Sequence, residues 1–256
     1  MKLMNYPLIS EYTESILSAE ENFNELTNLR PVLDSCGRPV MSSGNFAVVY
    51  KMRDIETDKL YAVKCFTREQ TGRERAYKQI CSKFRDIQSP YFVRFSYHEA
   101  ELFVDSSQTD ETEFPIVVME WVEGLMLDKY IKKFQGNPFV LYELCYNFRI
   151  MAKWLVSQHF AHGDIKPDNI IFVDGVAKLS DIGLLDTTTH TLSLVGTQDF
   201  VPPEYLLGDA KNPTAEIDLY ALGKTLYCAF SGNDANQFPL IASETLKNPE
   251  YRTLNK

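Results

Sequence analysis

The chain of 256 residues lacks any apolar run near the roughly 20 residues that span a bilayer. Its longest such stretch, around Ile116 to Val122, is broken by Glu120. The opening MKLMNYPLISEYTES meets acidic and polar residues too early for a secretory leader. The five cysteines, Cys36, Cys65, Cys81, Cys145 and Cys228, form no CxxC pair. That spacing gives no support to a zinc or redox couple and suits a reducing compartment. Positive charge is in short supply, with 26 Lys+Arg against 35 Asp+Glu and a net charge of -9. Neither nucleic acid nor an anionic membrane is steered towards such a surface, so neither is expected as a partner. A soluble, cytoplasmic protein is the expectation.

What the sequence does contain is enough apolar material, 45% of residues, for a sizeable core. From Glu11 to Leu29, the residues Ile16, Ala19, Phe23 and Leu26 recur at helical spacing and Pro31 follows as a stop. An amphipathic helix is expected there, packed on the domain behind it. FAVVYK, LYAVKCF, YFVRFSY and FPIVVMEW are short runs rich in Val, Tyr and Phe between polar turns, which predicts an antiparallel sheet. A helix from Arg73 to Arg85 interrupts them, and DSSQTDETE reads as an acidic surface loop. Beyond Gly124 the pattern turns helical, with Leu141, Leu144, Phe148, Met151 and Leu155 on one face. NIIFVD and VAKLSD meet at Gly175 as a small hairpin, and a buried helix is expected from about Ala215 to Phe230. The division is 1–35 as a helical extension, 36–123 as a strand-rich lobe and 124–256 as a helical lobe whose C-terminal end reads as cut short.

The chemistry concentrates in HGDIKPDN, His162 to Asn169, and in the Asp181-Ile182-Gly183 that follows the hairpin. Two carboxylates, an amide and a cation in these loops suit a metal-bound polyphosphate beside an attacking hydroxyl. Asp-Gly and Pro-Asp-Asn also suit plain turns, but a turn has no need of Lys166 or of a second acidic loop.

Here the sequence resembles the eukaryotic-type protein kinase family, in order, from about Met41 to Gly232. HGDIKPDN is similar to the HRDxKxxN catalytic loop and Asp181-Ile182-Gly183 to DFG, while Lys64 in YAVK matches the third-strand lysine. GTQDFVPPE resembles the GTxxYxAPE segment, and Asp218 in IDLYALG matches the aspartate of the central helix. The resemblance implies an α+β, bilobal fold with a five-stranded antiparallel sheet in its N-lobe and a mainly helical C-lobe. It also implies ATP and Mg2+ as cofactors, and a protein substrate with a Ser/Thr hydroxyl acceptor.

By the same resemblance Asp164 is the base for the substrate hydroxyl and Lys166 offsets charge on the migrating phosphoryl group. Asn169 and Asp181 are the magnesium ligands, and Lys64 grips the α- and β-phosphates. Lys64 lies in an apolar strand and needs an anionic partner; Glu74 is the choice and Glu69 the rival. Ser42, Gly44 and Ala47 stand at the three glycine places of the phosphate-covering loop, with only Gly44 retained. Val49 and Ala62 are expected above the adenine and Ile171 below it. Met119 is expected as the gatekeeper, with the backbone of Glu120 and Val122 at the adenine edge. Gly163 departs from the family's arginine. That departure, the lost glycines and the early end leave two alternatives: a pseudokinase scaffold that binds nucleotide or a partner, or a kinase-like small-molecule phosphotransferase.

Overall fold

A computed structural model describes residues 5–44, 46–69, 77–78, 81–82, 89–157, 162–173, 175–180, 198–206 and 215–231. The first lobe is built on an antiparallel sheet of six strands: β1 (Leu29–Pro31), β2 (Met41–Ser43), β3 (Ala47–Asp54), β4 (Leu60–Phe66), β5 (Phe95–Phe103) and β6 (Glu113–Glu120). Their order is β1-β3-β4-β6-β5, with β2 also paired to β3. The strand beyond the five expected is β1. Pro31, read as a helix stop, instead ends an edge strand, where its missing N–H costs no ladder bond.

Alternation divides this sheet into two faces with different work. Val48, Tyr50 and Met52, Val63 and Cys65, and Phe114, Ile116 and Val118 are buried on one side. Val49, Ala62, Lys64, Val117 and Met119 occupy the other, because Val49 pairs with Lys64, Lys64 with Val117, and Ala62 with Met119. The first face is covered by the N-terminal segment, whose Tyr12, Ile16, Ala19 and Phe23 join its core. This segment is not the single helix that the spacing predicts. Helix α1 runs Ile9–Leu17, Ser18 leaves helical geometry, and α2 is only Ala19–Asn22. Long-range partners stop it: Phe23 bridges Leu102, and the Glu101 carboxylate accepts the N–H groups of Glu25 and Leu26 at 2.9 and 2.7 Å. Glu11 ties α1 to the acidic loop, accepting from Ser106 and Ser107, and the Ser107 hydrogen bonds hold its carboxyl down at about 2.

The second lobe collects β7 (Leu125–Met126), α3 (Leu127–Phe134), α4 (Pro138–Ser157), β8 (Ile170–Val173), β9 (Val176–Leu179), α5 (Pro203–Leu206) and α6 (Ala215–Ser231). Helix α4 starts where Asn137 Oδ1 accepts the Phe139 N–H at 3.1 Å, and Leu144, Phe148, Met151 and Leu155 form its buried stripe as the spacing predicts. Gly175, at φ +79°, sits in the turn between β8 and β9. Phe92 bridges Leu179 across the lobes, with Val93 N–H donating to the Leu179 carbonyl at 3.2 Å. The connecting segment is pressed onto β8: a Cβ on Gly124 would lie 2.3 Å from the Phe172 carbonyl oxygen. Only glycine permits that approach. Among the described residues no helix is long and apolar enough to cross a membrane.

Candidate active site

The residues of the HGDIKPDN loop do meet. Asn169, in a one-turn 3-10 helix begun by Pro167, donates its Nδ2 protons to the Asp164 carbonyl at 2.8 Å and to Asp164 Oδ2 at 2.9 Å. Lys166 Nζ lies 3.2 Å from the same carboxylate oxygen. Both members of that ion pair are mostly shielded, with side-chain exposures of 22% and 18%. Because the Asn169 nitrogen has both its partners on Asp164, the identity of the amide ends is fixed and Oδ1 is left as an oxygen donor on the far side. Asn169 is itself buried, at 6% exposure.

The loop is held from below by Asp218 of α6, which sequence comparison names only as a motif match. Its carboxylate accepts the N–H groups of His162 and, at 2.8 Å, of Gly163. Gly163 has φ +80°, a backbone region in which a side chain is strained and glycine is at ease. The loss of the family's arginine therefore relaxes the backbone at the point where Asp218 grips it. The signal in the sequence was an aspartate beside the apolar positions of a helix expected to be buried. Burial pushes the Asp218 carboxyl up to about 7 from 3.8, against the pull of the two N–H donors. Between those values the folded protein binds the extra proton, so ionising Asp218 removes stability as pH rises from about 4 to about 7. The stability advantage of wild type over Asp218→Asn is therefore expected to shrink across that window and level off above it. Urea titrations at a series of pH values measure this, and an advantage that grows with pH would contradict it.

The sheet supplies the other wall. Val49 and Lys64 are half-buried neighbours on adjacent strands, and Ala62 is buried beside Met119. A cavity at the back of this face, of about 10 Å³, is lined by Val117 and Met119 from the sheet and by Leu179 and Ser180 from the second lobe. It has room for about one water. The Ser180 N–H in turn donates to the Asn169 carbonyl at 2.9 Å. A continuous path of contacts thus links the Lys64 face of the sheet to the Asp164–Asn169 loop. Ile171 is half-buried on β8, while its neighbours Ile170 and Phe172 belong to the lower core; a Cβ added to Gly124 would also meet the Ile171 Cγ2, at 2.7 Å.

In the connecting segment the Glu120 N–H donates to the Arg94 carbonyl and that of Trp121 to Leu60, which fixes the backbone entering Val122. Ser42 and Gly44 are exposed at the β2–β3 turn, where Gly44 N–H donates to the Ala47 carbonyl at 2.9 Å. Ser42 and Ala47 are ordinary strand residues with negative φ, so a side chain at these two glycine places costs nothing in the backbone. Glu74 and Asp181, expected as the Lys64 partner and a metal ligand, lie outside the described residues.

Known proteins resemble this chain over most of its length. The protein kinase domain model matches residues 39–251. A probable serine/threonine-protein kinase of Clostridium perfringens is 30% identical over 205 residues, covering 75% of this chain and 28% of the relative. Another from Dictyostelium discoideum is 28% identical over 76% of the chain and 33% of its own length. The serine/threonine-protein kinase PknL of Mycobacterium tuberculosis is 26% identical over 75% of the chain and 48% of its own length. The chain spans less than half the length of each of these three. The family model begins within the segment before β2 and takes in strands β2 to β6, the connecting segment, the Asp164 loop and α6, and on that match the chain belongs to the protein kinase domain family.

Proposed function

We propose that the protein is a cytoplasmic serine/threonine protein kinase that transfers the γ-phosphoryl group of ATP to a hydroxyl of a protein substrate. The observation that supports this reading most is the Asp164 carboxylate, with the Lys166 amine and the Asn169 amide both within hydrogen-bond reach of one of its oxygens. That cluster is joined through Ser180 to the sheet face bearing Lys64. Val49 and Ala62 cover the adenine from above and Ile171 from below, and the Glu120–Val122 backbone meets its edge. Lys64 holds the α- and β-phosphates.

A substrate hydroxyl hydrogen-bonded to Asp164 gives up its proton to that carboxylate as its oxygen bonds to the γ-phosphorus. The bond between that phosphorus and the β–γ bridging oxygen breaks, and ADP leaves. Lys166, already paired with Asp164, stabilises the charge that develops on the transferred group. The Asn169 amide oxygen offers a hard donor, and Asn169 with Asp181 would hold Mg2+. When bound, Mg2+ neutralises the phosphate oxygens during transfer. Incubation with γ-labelled Mg-ATP and a generic protein acceptor tests the reading. Label in phosphoserine or phosphothreonine, lost on chelation of magnesium, is the expected result; nucleotide-dependent stabilisation without transfer would replace the enzyme with a scaffold.

A further inference from the structure

Behind the connecting segment, on the sheet face away from the candidate catalytic groups, lies a second cleft of about 470 Å³. Its floor is Tyr61 and Val118, which alternate with Ala62 and Met119 and so face the opposite way from the nucleotide-side residues. Lys59 and Arg94 stand over it, with Trp121 and Glu120 completing the wall. Trp121 is fixed before any ligand arrives. Its indole N–H donates to Glu123 Oε1 at 2.7 Å, and Lys51 Nζ sits 4.4 Å from the ring centre and 2.9 Å from the same Glu123 oxygen. A rigid aromatic wall lowers the ordering cost of binding.

The charge on this cleft is what selects the occupant. Lys59 and Arg94 are exposed, and among the described residues neither side chain takes part in a hydrogen bond or ion pair, although the chain carries 35 acidic residues. Two cations left available beside a fixed aromatic ring, in a molecule of net charge -9, are complementary to an acidic ligand. Glu120 adds a second requirement, because it repels a small free anion and asks for a donor. An extended peptide meets both demands: its acidic side chains reach Arg94 and Lys59, its backbone N–H groups reach Glu120, and an apolar side chain lies on Trp121.

We propose that this cleft is a docking site for an extended acidic segment of a partner protein, separate from the nucleotide site. The test uses the full chain and fluorescence anisotropy with a labelled peptide of glutamates around one leucine. Its counterpart with glutamine in place of glutamate, inorganic phosphate and Mg-ATP serve as comparisons. The acidic peptide is expected to bind saturably and more weakly as salt rises, and the glutamine peptide not to bind. Lys59→Ala and Arg94→Ala should each weaken binding by about tenfold, as expected for removal of one charge-assisted partner, without moving the thermal midpoint. Neither Mg-ATP nor equimolar phosphate should displace the peptide. Equal binding of the two peptides, unchanged affinity in the Lys59→Ala/Arg94→Ala double variant, or displacement by phosphate or Mg-ATP would each overturn the proposal, as would no binding at all.

Discussion

Asp164→Asn is expected to lower phosphoryl transfer by about 10²- to 10⁴-fold, the range a positioned general base contributes, while nucleotide affinity stays within about twofold. The substitution keeps the side chain's shape but removes the group that takes the hydroxyl proton. It also deprives Lys166 and the Asn169 amide of the charged oxygen they share, at 3.2 and 2.9 Å. In the proposed reading the nucleotide is held mainly by the sheet face around Ala62 and Lys64, so its affinity is insulated from that change. Initial rates of transfer, set beside calorimetric titration with Mg-ATP, separate the two quantities. Transfer at the wild-type rate would remove Asp164 from the proton-accepting role. Loss of nucleotide binding together with transfer would mean that Asp164 shapes the whole cleft.

The largest stability effect is expected at Tyr12, far from the chemistry. The ring is fully buried, lies edge-on to Phe114 at 6.2 Å, and its hydroxyl donates to the Phe66 carbonyl at 2.8 Å. Tyr12→Ala should cost ~3–5 kcal/mol, the usual range for truncating a buried aromatic. Tyr12→Phe keeps the ring, gives up the bond to Phe66, and should cost ~1–3 kcal/mol. Urea titrations measure both. A loss under about 1 kcal/mol for the alanine variant would mean that α1 is an accessory to the sheet rather than part of its core. The consequence for function runs through β4, since Phe66 lies two residues beyond Lys64 and meets Tyr77 at 5.7 Å between ring centres. Tyr77 in turn stacks on Tyr97 at 5.5 Å, so the N-terminal segment, the Lys64 strand and β5 share one packed seam.

Much of this was legible in the residues. The alternating runs gave β3, β4 and β6 close to their bounds, because two-fold periodicity with a buried face is a local signal. The α4 stripe and the Gly175 turn were readable for the same reason. The HGDIKPDN loop was legible as a cluster, since its charged and amide side chains lie within a few residues of one another and do meet at Asp164. Other features depended on distant partners and left no local trace. Ile16, Ala19 and Phe23 do pack as their spacing predicts, yet the helix ends early because Leu102 and Glu101 capture the chain at Phe23 to Leu26. The shift of register in β5 between His98 and Leu102 lies beside that contact and is invisible in the pattern. Strand β1 owes its place to pairing with β3, a relation that Pro31 alone cannot announce. The second cleft is of this kind too, since Lys51, Trp121 and Glu123 come together only once β3 is laid beside the connecting segment.

The account stands on one nucleotide lying between the Lys64 face of the sheet and the Asp164–Asn169 loop. An ATP derivative carrying an acyl group on its γ-phosphate measures this directly, because a nearby lysine amine attacks the acyl carbon, forms an amide and releases ATP. Peptide mapping after brief exposure should find the amide on Lys64 and Lys166, with both signals suppressed by excess ATP. Label spread over surface lysines such as Lys59, Lys132 and Lys133, or label at Lys64 and Lys166 that ATP does not suppress, would contradict the account.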